Sequence, residues 1–231
     1  MTVAMEHALN LAWVLLTAFL VMFMQVGFAL VETGFTRAKN AVNTMGMNLV
    51  IYPVGVIGFW LVGYGLMLGG VQDWPSLGAA AAGAHEVSLP LGAHGAGLFG
   101  AARFALVSVA HEPANLAVFL FAAVFMDTAA TIPTGALAER WKFSSFMIYG
   151  LFMSMFLYPL YGNWVWGGGW LSTLGINAGL GHGHVDFAGS SVVHMTGGVT
   201  ALAGALVLGP RVGKYRRDGK IFATPGHNRV F

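Results

Sequence analysis

The sequence predicts an all-α integral membrane protein, a polytopic bundle of five transmembrane helices. Three observations carry that prediction. Of 231 residues, 57% are hydrophobic and only 9% are charged, against about 25% charged in a soluble domain. All charged residues but Asp127 lie outside five apolar runs, each long enough to cross a bilayer core, which takes about 20 residues. The 33 glycines allow the close helix contact on which packing in lipid depends.

The runs lie at about 9–31, 41–70, 114–137, 143–161 and 187–209. The second is longer than a span needs and is interrupted by Pro53. Segment 71–113 is broken by Gly, Pro and His. Its part from 91 to 110 is apolar but holds Arg103. We read 71–113 as an extracellular or interfacial piece, with a sixth span as the alternative. The N-terminal MTVAMEHALN has no Lys or Arg, so it does not read as a cleaved signal peptide, which needs a positive n-region.

Loop cations orient the chain. Arg37 and Lys39 follow span one, Arg140 and Lys142 follow span three, and Arg211, Lys214, Arg216, Arg217 and Lys220 follow span five. The opposite loops carry only Arg103. Positive loops stay inside. The expectation is therefore a multi-pass protein of the cytoplasmic membrane, with its N-terminus outside and segment 210–231 a cytoplasmic loop. Five spans that end in a basic loop suggest one half of an inverted-repeat transporter. The chain ends at HNRVF, where another span would begin.

Several functions are excluded. With no cysteine there is no disulfide, thiolate metal site or cysteine nucleophile. A net charge of +2 gives no field for nucleic acid. No phosphate loop, nucleophile elbow or HExxH occurs, so no enzyme and no cofactor are expected. His182 and His184, in GHGH, lack a third ligand nearby and read as a flexible outer loop rather than a metal pair.

Five residues stand out against this background. His194 lies in a run with no Lys, Arg, Asp or Glu between Asp186 and Arg211. A charge at that depth costs roughly 2.5 kcal/mol or more, so such a group faces a cavity, a pathway or a partner. The plainer reading is a core histidine bonded to a carbonyl. Asp186 opens span five, where an acid caps free N–H groups and complements the helix dipole. Asp127 lies inside span three; it is either satisfied by Thr128 and nearby backbone or protonated in place. Phe121 and Phe125 are four apart and share a helix face.

Two architectural patterns complete the reading. Gly197, Ala201, Ala205 and Gly209 form a small-residue stripe for close helix contact. Glu32, Arg37, Glu139 and Arg140 read as ion pairs and packing at span ends.

Five strings, in order, carry a family resemblance. They are GFALVETGFTRAKNAVN (27–43), DTAATIPTGALAERWKF (127–143), GNWVWGGGWL (162–171), DFAGSSVVHMTGG (186–198), and LGPRVGKY with the closing PGHN. Together they resemble the first five spans of the ammonium transporter family (Amt, Mep and Rh proteins). The RVF ending departs from that pattern. The resemblance implies an eleven-span fold of which this chain is the N-terminal part, assembly as a homotrimer, and passage of ammonium or ammonia in nitrogen uptake. It also implies a PII-type regulatory protein as a partner on the cytoplasmic face.

The resemblance further assigns roles. Trp166, just before GlyGlyGly, recruits ammonium by cation–π attraction, which is worth about 0.5–2 kcal/mol; Trp164 and Trp170 read as interfacial belt residues. Asp186 shapes that outer site and raises local cation affinity. Phe125, with Phe121 beside it, falls at the pore gate, although lipid-facing or core packing remains a reading of Phe121. His194 maps to the first of two pore histidines. Neutral imidazole has one donor and one acceptor, so it passes a proton or holds ammonia without a fixed charge. Two alternatives stand beside transport: an ammonium-sensing membrane domain of a signalling protein, and a truncated, non-conducting fragment.

Overall fold

The computed structural model describes residues 2–80, 83–92, 95–215 and 218–228. Arg216, Arg217 and the RVF ending lie outside the described residues. Five helices are long and apolar enough to cross a membrane: α1 (Val3–Phe35), α2 (Ala38–Leu68), α3 (Pro113–Leu137), α4 (Phe143–Val165) and α6 (Ser190–Leu208). A short helix, α5 (Leu174–Ala178), lies between the last two. The expected five-span helical bundle is what forms.

Helix α3 is the hub. It packs on α1, α2 and α6, and its window is the most buried of the five. Its composition permits this. Ala122, Ala123, Ala129 and Ala130 present little bulk, so neighbouring backbones come close. Gly197 and Gly204 of α6 meet it directly. A Cβ at Gly197 would lie 2.7 Å from Ile132 Cβ, and one at Gly204 would lie 2.6 Å from Leu137 Cδ1. The stripe read as Gly197, Ala201, Ala205 and Gly209 therefore drifts. Gly204 joins it at the contact, because 3.6 residues per turn does not keep a strict spacing of four. Gly209 instead ends α6 in a positive-φ conformation at 69°.

Three of the spanning helices contain one π-helical turn: Phe59–Gly63 in α2, Met153–Leu157 in α4 and Ser190–Met195 in α6. The first two face each other across a close helix crossing. A side chain at Gly58 would strike Ser154 Oγ, and one at Gly63 would strike the Ser154 carbonyl. Aromatic packing holds the crossing from the other side. Phe59 stacks on Phe119 at 5.9 Å, and its ring meets those of Tyr64 and Tyr158 edge-on at 6.2 Å each.

Segment 71–113 forms two small antiparallel hairpins, β1 (Asp73–Trp74) with β2 (Ala79–Ala80) and β3 (Glu86–Leu89) with β4 (Ala96–Gly100). Among the described residues it holds no helix of spanning length, so the sixth-span alternative is not formed. Arg103 is buried after β4 and donates to the Leu68 carbonyl at 3.1 Å and the Val71 carbonyl at 2.7 Å. It thus caps the free carbonyls at the C-terminus of α2, where a cation is favoured.

The opposite end of the bundle gathers the termini of α1, α3 and α6. The Arg37 guanidinium contacts Glu139 Oε2 at 2.6 Å, and the Arg37 backbone N–H donates to Oε1 at 2.7 Å. Arg140 donates to the Gly209 carbonyl. The PGHN segment folds back, with His227 N–H on the Thr36 carbonyl at 3.1 Å. Glu32 makes no ion pair among the described residues. Its Oε2 accepts from Asn48 at 2.7 Å and from the Thr134 hydroxyl. A helical turn inside the end of α1, it meets polar groups of α2 and α3 rather than a loop cation.

Candidate functional site

The π turn that opens α6 is built on one carboxylate. Asp186 Oδ1 accepts the backbone N–H of Gly189 at 2.7 Å and Ser190 at 2.9 Å; Oδ2 accepts those of Ser191 and Val192 at 2.8 Å each. The Ser191 hydroxyl adds a bond to Oδ2 at 2.7 Å. Burial alone would raise this carboxyl, but the donors from Val192, Ser191 and Gly189 outweigh it and hold the group down at about 2. The acid is thus spent on the first turn of the helix, as a cap is, and it keeps its negative charge at the start of α6.

That turn sets the neighbouring aromatics. Helix α4 ends at Val165, and Trp166 follows in a turn closed by its N–H on the Gly162 carbonyl at 2.7 Å. The indole Nε1–H donates to the Asp186 backbone carbonyl at 2.7 Å. With its N–H committed, the indole is fixed against the Phe125 ring, edge-on at 6.1 Å and 78°. Phe121 lies 4.9 Å from Phe125. All three rings line one apolar cavity of about 450 Å³, shared with Trp13 and Asn10 of α1 and Met67 of α2. An aromatic wall of this kind suits a cation that can shed water.

His194 sits on the π turn itself. Its backbone N–H bonds to the Gly189 carbonyl five residues back at 2.9 Å. Val192 and Val193 are buried, whereas His194 is exposed on the face of α6 turned away from the core. No ring hydrogen bond is formed by His194 among the described residues, so the reading of a core histidine bonded to a carbonyl does not describe it. It is also absent from the cavity that Phe121, Phe125 and Trp166 share. The structure therefore gathers Trp166, Asp186, Phe125 and Phe121 and leaves His194 on an adjoining open face.

Sequence reasoning placed His184 in a flexible outer loop, and the fold gives it a partner. Its Nε2 lies 2.8 Å from Ser191 Oγ. Since Ser191 gives its only proton to Asp186, Nε2 carries the hydrogen and donates. The GHGH string holds no signal for this, because the partner is supplied by the fold. Among the described residues no group of three His, Asp or Glu could hold a metal ion. For Asp127, the expected partner is engaged elsewhere: the Thr128 hydroxyl donates to the Val124 carbonyl at 3.0 Å, and Asp127 Oδ1 is buried without a hydrogen bond.

The sequence profile of the Ammonium Transporter Family matches residues 12–231. The chain belongs to the ammonium transporter family. It is 42% identical over 228 residues to ammonium transporter Amt2 of Archaeoglobus fulgidus, covering 98% of this chain and 44% of that one. It is 38% identical to ammonium transporter Amt1 of Haloferax mediterranei, over 97% of this chain and 39% of that one. Among solved structures it resembles one titled "Sensor Amt Protein", with a TM-score of 0.78, 34% identity, and coverage of 97% of this chain and 50% of that chain. It shares the fold of Candida albicans Mep2, with a TM-score of 0.68 over 95% of this chain and 43% of that one. The chain thus spans about half or less of the length of these relatives. Membership of a transporter family and the five apolar helices make this a multi-pass membrane protein.

Proposed function

We propose that this chain forms the outer mouth and the first half of a path for ammonium or ammonia across the cytoplasmic membrane. The contact of Trp166 with Phe125 on one apolar cavity carries the reading. Ammonium collects on the Trp166 face, drawn by the buried-end charge of Asp186. It gives up its proton to solvent water in the cavity beside Phe125 and Phe121, and ammonia continues along an apolar pore lined by His194. Alkali ions are rejected because apolar walls replace none of their hydration shell. The open His194 face is where the second half of an eleven-span transporter, and with it a second histidine, would pack.

The same reading places the N-terminus outside and the Arg37, Arg140 and Lys214 end in the cytoplasm, where a PII-type regulator would meet it. It takes the working assembly to be a homotrimer and assigns no catalytic step. Labelling at Lys214 from the cytoplasmic side supports this orientation; labelling from outside rejects it.

The deciding experiment is methylammonium uptake by the protein as the cell makes it, with His194→Ala beside the wild type. Uptake and selectivity that do not change in His194→Ala would remove His194 from the pore. The resemblance to the structure titled "Sensor Amt Protein" favours a second reading, an ammonium sensor. That reading predicts saturable ammonium binding without uptake.

A further inference from the structure

Glu86 and Asn163 lie behind the Trp166 turn and share an unbalanced set of hydrogen-bonding atoms. The Asn163 amide gives one hydrogen to Glu86 Oε2 and the other to the Met67 carbonyl, at 3.2 Å each. Both donors of that amide are then used. Two acceptors remain. Glu86 Oε1 and Asn163 Oδ1 are buried, and neither has a hydrogen-bond partner. Backbone closes in on them. A Cβ at Gly97 would lie 2.7 Å from Glu86 Oε1 and 3.0 Å from Gly169 Cα, and one at Gly169 would lie 2.8 Å from Asn163 Oδ1. A side chain at Gly70 would strike Glu86 Oε2.

Two orphan acceptors beside an existing N–H···O bond are what an acid–amide pair looks like without its proton. Buried polar atoms are almost always partnered, and one hydrogen on Glu86 Oε1, donated to Asn163 Oδ1, would satisfy both. We propose that Glu86 and Asn163 form a proton-carrying acid–amide latch that locks the Trp166 turn to the β3–β4 hairpin and releases as the surrounding solution becomes alkaline.

Burial pushes the Glu86 carboxyl up to about 7, against a smaller opposing pull from the Asn163 amide. The groups on surrounding elements do not reverse this. Asp73 and His85 are exposed. Arg103 is committed to Leu68 and Val71. Tyr64 is bonded to Asn115, α4 offers Tyr158 and Tyr161 and no charge, and no ion pair to Glu86 is formed among the described residues. A raised carboxyl contributes stability that is complete at acid pH and is lost as pH rises through its folded value. The proton comes from and returns to solvent.

The latch bears on the site through three further ties. Gly169 N–H bonds to the Asn163 carbonyl at 2.9 Å, Trp170 N–H to the Gly97 carbonyl at 2.9 Å, and the Trp164 indole to the Leu98 carbonyl at 2.8 Å. Residues 163–170 and β4 therefore move as one body when the latch holds. Glu86 is a positioning residue for Trp166. This last step rests on the recruitment role proposed above; the latch itself does not.

Infrared difference spectra of the purified protein in lipid, between about one pH unit below and one above the midpoint of about 7, test the proton directly. The wild type should lose a protonated-carboxyl band across that range, and Glu86→Gln should lack that change. Glu86→Gln reproduces the acid's donor and acceptor, so between those two pH values its melting temperature should lack the decline that the wild type shows. A band that vanishes only in the ordinary glutamate range near about 4.3, or a Glu86→Gln protein with the wild-type pH slope, overturns the latch. Apparent methylammonium affinity should weaken at alkaline pH in the wild type and not in Glu86→Gln. A normal band with an affinity that follows no such difference overturns the positioning of Trp166. Absence of uptake in every variant rejects the transport reading and leaves the infrared test standing.

Discussion

The Trp166 indole N–H is bonded at 2.7 Å to the backbone carbonyl of the same Asp186 whose carboxylate closes the first turn of α6. One residue therefore fixes both an aromatic face and a helix start. The carboxylate accepts four backbone N–H groups and has no lone pair left for a bare contact with a cation. In the recruitment proposed above, it acts on a cation at Trp166 through space, as a fixed charge, while the ring face makes the contact.

Trp166→Leu keeps the bulk and removes the cation-attracting face. Apparent methylammonium affinity should fall by roughly 2- to 30-fold, the range that corresponds to about 0.5–2 kcal/mol, with maximal uptake less affected. A concentration dependence identical to the wild type's would reject recruitment at Trp166.

Asp186→Asn should lower thermal stability by about 1–3 kcal/mol, the cost of leaving buried donors unsatisfied, because one amide oxygen cannot replace two carboxylate oxygens on four N–H groups. The wild-type carboxyl is held at about 2, below the ordinary value of about 3.9. Its contribution is therefore complete above about 4 and disappears as pH falls towards about 2. Melting curves of the two proteins should converge over that window, and a gap that persists at its acid end would contradict the capping role.

Gly63→Ala should push α2 from α4, since the new methyl group meets the Ser154 carbonyl. Overpacking of this kind costs about 1–3 kcal/mol. A matched Gly27→Ala, where a Cβ meets nothing within 4 Å, should leave the melting temperature nearly unchanged. Equal effects at the two positions would refute the close crossing.

Arg37→Met should leave the Glu139 carboxylate, whose side chain is 0% exposed, without its guanidinium partner. Burial favours the neutral acid, and the Arg37 bonds overcome it to hold Glu139 below the usual range. The stability they contribute is present at neutral pH and lost as pH falls below the ordinary glutamate range. Arg37→Met should therefore lower the melting temperature at pH 7 and show a shallower acid decline than the wild type.

Sequence alone determined the number and order of the spanning helices, because a bilayer demands long apolar runs and sequesters charge in the loops. It also marked Asp186 as a cap, since an acid just before an apolar run has few other uses, and it marked Phe121 and Phe125 as one face through the helical period. Residues 71–113 were legible as an extracellular or interfacial piece, with a sixth span as the alternative that the hairpins replace. Short hairpins there depend on backbone pairing and on left-handed positions such as Arg103, with φ at 62°, which composition does not encode.

Tertiary structure decided the rest, and the reason is common to each case. Hydrogen bonds and ring contacts between residues distant in the chain depend on how helices cross. The 450 Å³ cavity needed α1, α2 and α3 around the Trp166 turn. The bond from His184 to Ser191 needed the outer loop to fold back on α6, and the pairing of Glu86 with Asn163 bridges 77 residues. Sequence period places a side chain on a face of its own helix; only packing decides what stands opposite.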